Sequence, residues 1–384
     1  MFRDVSTRRK LFLLCSAFVV AIAVAIYSLV AEKQIAIDFS RKELGGVHDI
    51  EQLGKAYTVL LADPLDLAAL ASLAAKPIVQ APTDAAPGVA ARTQALEETL
   101  AATLRRLASG QVQGGAQRAA IAEALIKTQD LISSIGDSSN LALDPEIDTY
   151  YLQDLLVRQI PLLLSQLGDV WNRSELATAP DYKMLLLTRV AVARSTAEQL
   201  ARNLASAYRG NQNGTLQRST EAPMAVMLSS VTAYLGGIES SVQSDTFDRA
   251  SLDPLWNSVT EDTLAAWTGG LANLRVLLDQ RLATLMNRLY WSLFITGTLT
   301  AFSILLAIFT HRRIVPPLAR LEDVANRVRK TKDYSHRVDY ESRDEIGHVA
   351  GAFNEMLGEL DSARKRELAD RADQSARKRL SVRR

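Results

Sequence analysis

The chain has little of the chemistry from which active sites and metal centres are built. Its 384 residues include one cysteine, Cys15, and four histidines, so an intrachain disulfide and a cysteine metal cluster are excluded. Aromatic residues make up only 6%, which favours leucine- and alanine-rich helices over a β-sandwich core. The sequence has neither a glycine-rich nucleotide loop nor a nucleophile–base pair. We therefore expect a protein that is not an enzyme and that uses no cofactor or metal.

Charge is missing from two long apolar blocks. No Asp, Glu, Lys or Arg occurs in residues 11–31 or in residues 289–310. At 1.5 Å per residue, a helix of either length extends about 30 Å, the thickness of the hydrocarbon core of a bilayer. The blocks predict two transmembrane helices and exclude a purely soluble protein. A cleaved signal peptide is the alternative for the first block, but its apolar run is unusually long and lacks a small-x-small cleavage pattern.

The distribution of basic residues predicts the orientation. Residues 1–10 carry a net charge of +3 and residues 311–384 one of +5, whereas residues 32–288 hold 22 Lys and Arg against 29 Asp and Glu. Because Lys and Arg near spanning helices stay in the cytoplasm, both termini are expected there and residues 32–288 outside. Tyr290 and Trp291 fit an aromatic belt at the outer interface. The absence of charge within the spans argues against a transporter.

The outer segment predicts an all-α domain. Its apolar residues recur three and four positions apart, without convincing two-residue alternation. Such helices bury their apolar faces by packing into a bundle. We therefore expect a four-helix bundle or, as the preferred version, two stacked four-helix bundles. Asp63-Pro64 and Asp253-Pro254 are expected to begin helices, and the first and last helices to continue unbroken into the spans. The predicted helices cover residues 32–62, 90–110, 115–135, 145–170, 180–209, 216–245 and 252–288.

One stretch of the outer segment holds the candidate ligand-binding residues. From Ile147 to Arg158, side chains follow one helix face at spacings of four, three and four residues, and could line a pocket between helices. The structural alternative is an ordinary surface pair of Asp154 with Arg158, worth a few tenths of a kcal/mol. Pro161 is expected to kink this helix. The candidate binding residues are Arg158, Asp154, Tyr151, Asp148 and Asn140.

The same stretch, from Asp137 to Leu167, resembles a segment of the helical outer domains of some bacterial chemoreceptors and sensor kinases. The resemblance implies an extracytoplasmic sensory module. Comparable helical sensors bind small anions such as carboxylates or nitrate, so the resemblance makes Arg158 the first ligand-binding candidate.

Two short amphipathic helices follow the second apolar block. Apolar residues of the first are Leu318, Leu321, Ala325 and Val328, and those of the second are Ile346, Val349, Phe353, Met356 and Leu360. The second is expected to begin at Ser342, which with Glu345 fits a capping box. Stripes this narrow need partner helices, and a symmetric homodimer is the simplest solution. A coiled-coil stalk is the alternative, but a polar stretch at 330–343 interrupts the pattern.

These residues resemble a HAMP domain, predicted at 312–364. The resemblance rests on a proline just past the span, then Asp344-Glu345-Ile346-Gly347 and Ala352-Phe353-Asn354-Glu355-Met356. HAMP domains are homodimeric parallel four-helix bundles that pass motion of a membrane helix into the cytoplasm. One departure is Asp333-Tyr334, where many members have glycine followed by an apolar residue. The resemblance implies signalling roles for Pro317, Leu318, Leu321, Tyr334, Val338, Glu345, Gly347, Phe353 and Met356.

These features together predict a non-catalytic receptor with two spans in a bacterial inner membrane. It would respond to a small anionic ligand or a periplasmic protein and act on an unidentified cytoplasmic output protein. No nucleic-acid role is expected, because groove-reading motifs are missing, whereas the basic tail at 365–384 could contact anionic membrane lipid. The alternatives are a structural scaffold, or a histidine kinase, chemoreceptor or diguanylate cyclase without its output domain.

Overall fold

The chain is helical in nearly all of the residues that its computed structural model describes, which are 7–77, 79, 87–141, 147–174, 180–211, 214–244 and 248–381. No strand occurs in these ranges, and the all-α prediction is confirmed. The helices are α1 (Thr7–Leu60), α2 (Leu67–Ala74), α3 (Pro87–Ala108), α4 (Gly114–Ser138), α5 (Ile147–Asp154), α6 (Ile160–Ser174), α7 (Pro180–Gly210), α8 (Thr215–Gln243), α9 (Arg249–Thr331) and α10 (Glu345–Ser381). A π-helical turn, Leu155–Gln159, joins α5 to α6.

The two apolar blocks lie in the two longest of these helices. Both α1 and α9 contain a stretch long and apolar enough to cross a membrane. In the second block, large apolar side chains such as Phe294, Leu299 and Leu305 are exposed, as lipid contact would require. The structure divides into an outer unit, Glu32–Arg288, and a second unit formed by Met1–Ala31 and Leu289–Arg384.

The buried apolar residues that the structure describes in the outer unit form one connected hydrophobic core. Leucine, valine and aromatic side chains from α1 to α9 form a single buried cluster. Several helices lie beside the same length of α1, where Glu43 meets Gln153 of α5 and Glu51 meets Arg275 of α9. The arrangement of two stacked bundles stays a prediction. Because α5, the π-helical turn and α6 run alongside α1, their apolar faces join into one core.

The first Asp-Pro pair does not begin a helix. The next helix, α2, begins three residues after Pro64, at Leu67, and Asp66 caps it by accepting hydrogen bonds from two backbone N–H groups at 2.9 Å. The Asp63 carboxylate is occupied elsewhere, because it accepts a hydrogen bond from Trp171 Nε1 at 3.2 Å. A tertiary contact thus replaces the local cap that the sequence pattern suggested.

The second Asp-Pro pair lies inside a helix rather than at its start. Helix α9 begins at Arg249, where Asp248 Oδ1 accepts a hydrogen bond from the Ala250 N–H at 3.1 Å. Pro254 therefore stands in the second turn of the helix. Its missing N–H forfeits one backbone hydrogen bond there, and Asp248 supplies the N-terminal cap instead of Asp253.

The predicted disturbance at Pro161 takes the form of the π-helical turn that precedes it. Ile160 donates its N–H to Leu155 O, five residues back. The next carbonyl in that pattern, Leu156 O, faces Pro161, which has no N–H to donate. Trp267 of α9 fills the gap, because its Nε1 donates to Leu156 O at 2.6 Å. A buried indole thus satisfies the carbonyl that the proline leaves without a backbone partner.

Two hydroxyl groups donate hydrogen bonds to the backbone carbonyl of the same proline. Tyr57 of α1 donates to Pro161 O at 3.1 Å, and Ser165 Oγ donates to the same oxygen at 3.0 Å. Burial raises the pKa of the Tyr57 phenol, which stays a neutral donor. The Tyr57 ring also meets Trp267 edge to face, with centroids 5.6 Å apart. This polar cluster connects α1, α6 and α9 at the centre of the core.

Candidate functional site

An asparagine of α10, Asn354, binds the backbone of the segment that follows α9. The connector, residues 332–344, passes beside α10, where the Val338 N–H donates to Asn354 Oδ1 at 2.8 Å. Asn354 Nδ2 donates in return to Val338 O at 3.0 Å. The Val338 side chain is buried. Because both backbone groups of Val338 are satisfied by a single side chain, Asn354 fixes the register between connector and helix.

Helix α10 begins at a tight turn built on Asp344. Asp344 Oδ1 accepts a hydrogen bond from the Gly347 N–H at 2.8 Å, and Oδ2 accepts one from Tyr340 Oη at 3.0 Å. The bond from Gly347 and further donors lower the pKa of the Asp344 carboxyl. The capping box of Ser342 with Glu345 is therefore wrong. Asp344 is the cap, since a carboxylate next to the helix binds its free N–H groups directly.

The apolar stripes of the two cytoplasmic helices are only partly covered within one chain. Val328, Val338, Ala350 and Leu357 are buried, and of the predicted signalling residues Pro317 is buried too. Leu321, Tyr334, Gly347 and Phe353 are half-buried, and Glu345 is exposed. Leu318 and Met356 stay 43% and 46% exposed, and Val349 and Leu360 are exposed beside them. This open apolar face is what a further helical partner would cover.

Comparison with known families agrees with this geometry. The HAMP domain family matches residues 309–362, which begin at the end of the second apolar block. Residues 309–362 form a HAMP domain. No curated protein matches the chain, and no solved structure matches it either. With a HAMP domain and two helices long and apolar enough to cross a membrane, the chain is, at the general level, a signal-relaying transmembrane receptor. A HAMP domain relays signals and is not itself catalytic.

The structure places Arg158, Asp154 and Tyr151 on or near the surface of the outer unit. The Arg158 side chain is 70% exposed, and its Nε lies 3.7 Å from Asp154 Oδ1. Asp154 Oδ2 also accepts a hydrogen bond from Gln159 Nε2. Tyr151 is half-buried against the exposed Tyr150 ring. Asp154, Arg158 and Tyr151 are thus neighbours, and their part in ligand binding stays a prediction.

The other two predicted ligand residues are Asn140 and Asp148. Asn140 follows the end of α4 with a positive φ of 65°, a conformation that asparagine tolerates better than most residues. Asp148 lies in α5, but its side chain is outside the described part of the structure, as are Asp144 to Glu146. The expected cap of α5 at Asp144 therefore falls outside the described residues.

A polar cavity lies where α1 ends and α9 begins. Its volume is about 200 Å³, and Asp63, Arg118, Trp171, Arg249 and Trp256 line it together with backbone and side chains of α4 and α6. The Trp171 and Trp256 rings stack at 5.0 Å with an interplanar angle of 3°. The Arg249 guanidinium lies 4.3 Å above the Trp171 ring and pairs with Asp63. We call this cavity the distal cavity.

Sequence reasoning missed the distal cavity. From the sequence, Asp63 was predicted only to cap a helix, and Arg249 was not part of any recognisable motif. One signal was present: the chain has four tryptophans, and three of them, Trp171, Trp256 and Trp267, belong to the outer segment. In a segment rich in leucine and alanine, indoles mark places where a buried ring with a polar edge is needed. Which helices they join depends on the fold.

Proposed function

We propose that the protein is a homodimeric receptor of a bacterial inner membrane, with both termini in the cytoplasm. The outer unit binds a small anion, and the HAMP domain passes the resulting change to a cytoplasmic output protein. The open apolar face of the HAMP helices supports the dimer, since Leu318 and Met356 remain exposed in one copy. The charge difference between the outer segment and the two termini supports the orientation.

The helix α9 provides the physical route for the signal. In one helix it contains Arg249 and Trp256 of the distal cavity, the second apolar block and the first HAMP helix. A ligand acts only if it binds one conformation better than the other. A tenfold preference corresponds to about 1.4 kcal/mol, which suffices to bias a bundle with two nearly equal packings.

Cross-linking tests the dimer directly. In a Cys15→Ser background, we expect cysteines at Leu318 or Met356 to form disulfide-linked dimers in membranes. The matched control is Glu355→Cys, which is also exposed but adjoins the apolar face instead of belonging to it. Links should form several times faster at Leu318 and Met356 than at Glu355. Equal rates at all positions would exclude the proposed parallel dimer.

The distal cavity is the first candidate for the anion site. Two arginines against one aspartate give its lining a net positive charge, and arginine binds carboxylates through paired hydrogen bonds. A volume of about 200 Å³ is below the range for drug-sized ligands, which favours a ligand the size of an amino acid or dicarboxylate. Trp171 and Trp256 form an apolar part of the lining beside these charges.

Binding to the full chain in detergent tests this site, with succinate and glutamate as probes and succinamide as the neutral control. A saturable change in tryptophan fluorescence is expected, since Trp171 and Trp256 line the cavity. Arg118→Gln or Arg249→Gln should weaken binding tenfold or more, as loss of a charge-assisted hydrogen bond costs about 1.5–3 kcal/mol. The matched control, Arg275→Gln, removes an exposed α1–α9 ion pair elsewhere.

The same binding experiment also distinguishes the two candidate sites and separates a receptor from a scaffold. Binding that survives both cavity variants but is lost in Arg158→Gln would move the site to the residues predicted from sequence. If the wild-type chain responds to neither probe, the small-anion proposal fails, and a scaffold that binds another envelope protein becomes the better hypothesis.

A further inference from the structure

Two hydrogen-bond donors of the distal cavity converge on a carboxylate of the chain itself. Asp63 Oδ2 accepts a hydrogen bond from Trp171 Nε1 at 3.2 Å, and the Arg249 guanidinium donates to the same oxygen. The donors come from different helices, because Trp171 belongs to α6 and Arg249 is the first residue of α9. The cavity therefore already holds one carboxylate oxygen by charge-assisted hydrogen bonding.

The two donors are fixed by the aromatic stack. Trp171 is only 3% exposed, and its ring stacks on that of Trp256 with centroids 5.0 Å apart. The Arg249 guanidinium lies 4.3 Å from the centroid of the Trp171 ring. Donors that are already in place lose little conformational freedom on binding. Another carboxylate oxygen can therefore take the position of Asp63 Oδ2 while both donors stay where they are.

The acceptor is the more accessible partner. Asp63 lies in the loop between α1, which ends at Leu60, and α2, which begins at Leu67. Its side chain is 43% exposed, against 28% for the side chain of Arg249. Because an ion pair open to water is weak, a carboxylate from solution can exchange with Asp63.

We infer that Asp63 occupies the position of the ligand's carboxylate and competes with the ligand for Arg249 and Trp171. The inference rests on the proposed anion site and adds that the ligand carries a carboxylate, which displaces Asp63 and accepts both hydrogen bonds. A competitor attached to the chain lowers the apparent affinity in proportion to the fraction of molecules in which it holds the site. Asp63 thus sets the ligand concentration at which the receptor responds.

The exchange changes a contact between the two helices that contain the apolar blocks. Asp63 follows the last residue of α1 by three positions, and Arg249 begins α9. Their ion pair therefore connects the end of α1 to the start of α9, and a ligand that takes Arg249 breaks it. The free and bound states then differ in a defined contact, which a ligand-driven change of conformation requires.

Isothermal titration calorimetry of the full chain in detergent, with succinate as the probe, tests the inference through Asp63→Asn. The amide keeps the size of the side chain but lacks the charge that holds Arg249. We expect succinate to bind the variant about fivefold more tightly than the wild type, which corresponds to about 1 kcal/mol. The shorter side chain of Asp63→Ser should change the affinity in the same direction.

Glu51→Gln is the matched control for these variants. It removes the carboxylate of the Glu51–Arg275 pair, which also connects α1 to α9 but does not line the distal cavity. Succinate should bind this variant as tightly as it binds the wild type. A gain equal to that of Asp63→Asn would mean that any broken contact between α1 and α9 raises the affinity, and it would overturn the inference.

A double-mutant cycle separates competition from a merely structural role. In an Arg249→Gln background, Asp63→Asn should change the affinity for succinate less than twofold, because the contact that it removes is already absent. An equal gain in both backgrounds overturns the inference, since Asp63 would then not act by holding Arg249. So does a wild type that binds succinate as tightly as Asp63→Asn does.

Failure of this inference can be distinguished from failure of the proposed anion site. If the wild type binds succinate and neither Asp63 variant binds it more tightly, the competition is rejected and the anion site remains. If the wild type, Asp63→Asn and Asp63→Ser all fail to bind succinate, the anion site is rejected and the competition with it.

Discussion

Trp267→Ala should destabilise the outer unit more than any other substitution we consider. The side chain is fully buried against Tyr57, and truncating a buried tryptophan typically costs about 3–5 kcal/mol. The substitution also leaves Leu156 O without its donor, which adds about 1–3 kcal/mol. Since whole domains are stable by only about 5–15 kcal/mol, we expect a large fall in the free energy of unfolding, measured by urea denaturation of the full chain with circular dichroism.

Two further variants separate the ring from its N–H group. Trp267→Phe keeps an aromatic ring in the core but loses the hydrogen bond to Leu156 O and part of the ring volume, so a loss of at least about 1–3 kcal/mol is expected. Trp291→Ala is the matched control, because Trp291 belongs to the second apolar block and is 58% exposed. A Trp267→Ala protein as stable as Trp291→Ala would contradict the role assigned to the π-helical turn.

Gly347→Ala should disrupt the start of α10. A Cβ at Gly347 would lie 2.6 Å from the carbonyl carbon of Ser342 and closer still to its oxygen, so the backbone itself would have to move. Overpacking of this kind costs about 1–3 kcal/mol or more. The hydrogen bond from Gly347 to Asp344 should break, and amide hydrogen exchange at Gly347 and His348 should accelerate by about a hundredfold.

Gly351→Ala is the control for this prediction. Gly351 lies one helical turn further along α10, and a Cβ there meets no atom within 4 Å. Alanine is the better helix former by up to about 1 kcal/mol, so exchange should slow or stay unchanged. If both variants exchange alike, the clash at Ser342 does not govern the turn.

Local patterns were enough to find most helices of the outer unit. Apolar spacing predicted a helix at residues 180–209, and α7 runs from Pro180 to Gly210. The same spacing predicted residues 216–245, and α8 runs from Thr215 to Gln243. Helix starts were less predictable, because Asp63 and Asp253 fit a cap in sequence while Asp66 and Asp248 cap in the structure. Which carboxylate caps a helix therefore depends on whether tertiary contacts already occupy it.

The HAMP domain was recognisable because its signal is local. The Asp344 turn, Gly347 and Asn354 stand within eleven residues of one another, and the hydrogen bonds that explain them span at most sixteen residues. The residues that line the distal cavity gave no comparable signal. Arg158 was predicted because it lies four residues from Asp154. Arg249 instead contacts Asp63 and Trp171, which lie 186 and 78 positions away in the chain.

The sequence by itself determined the two spans, the helical class and the HAMP domain, because each follows from hydrophobicity, period or short-range spacing. Tertiary structure alone decided that the outer helices share one core, that Trp267 satisfies the carbonyl left by Pro161, and where the distal cavity lies. The physical reason is separation along the chain. Burial and hydrogen bonding between distant residues depend on how helices pack, and no local pattern encodes which faces will meet.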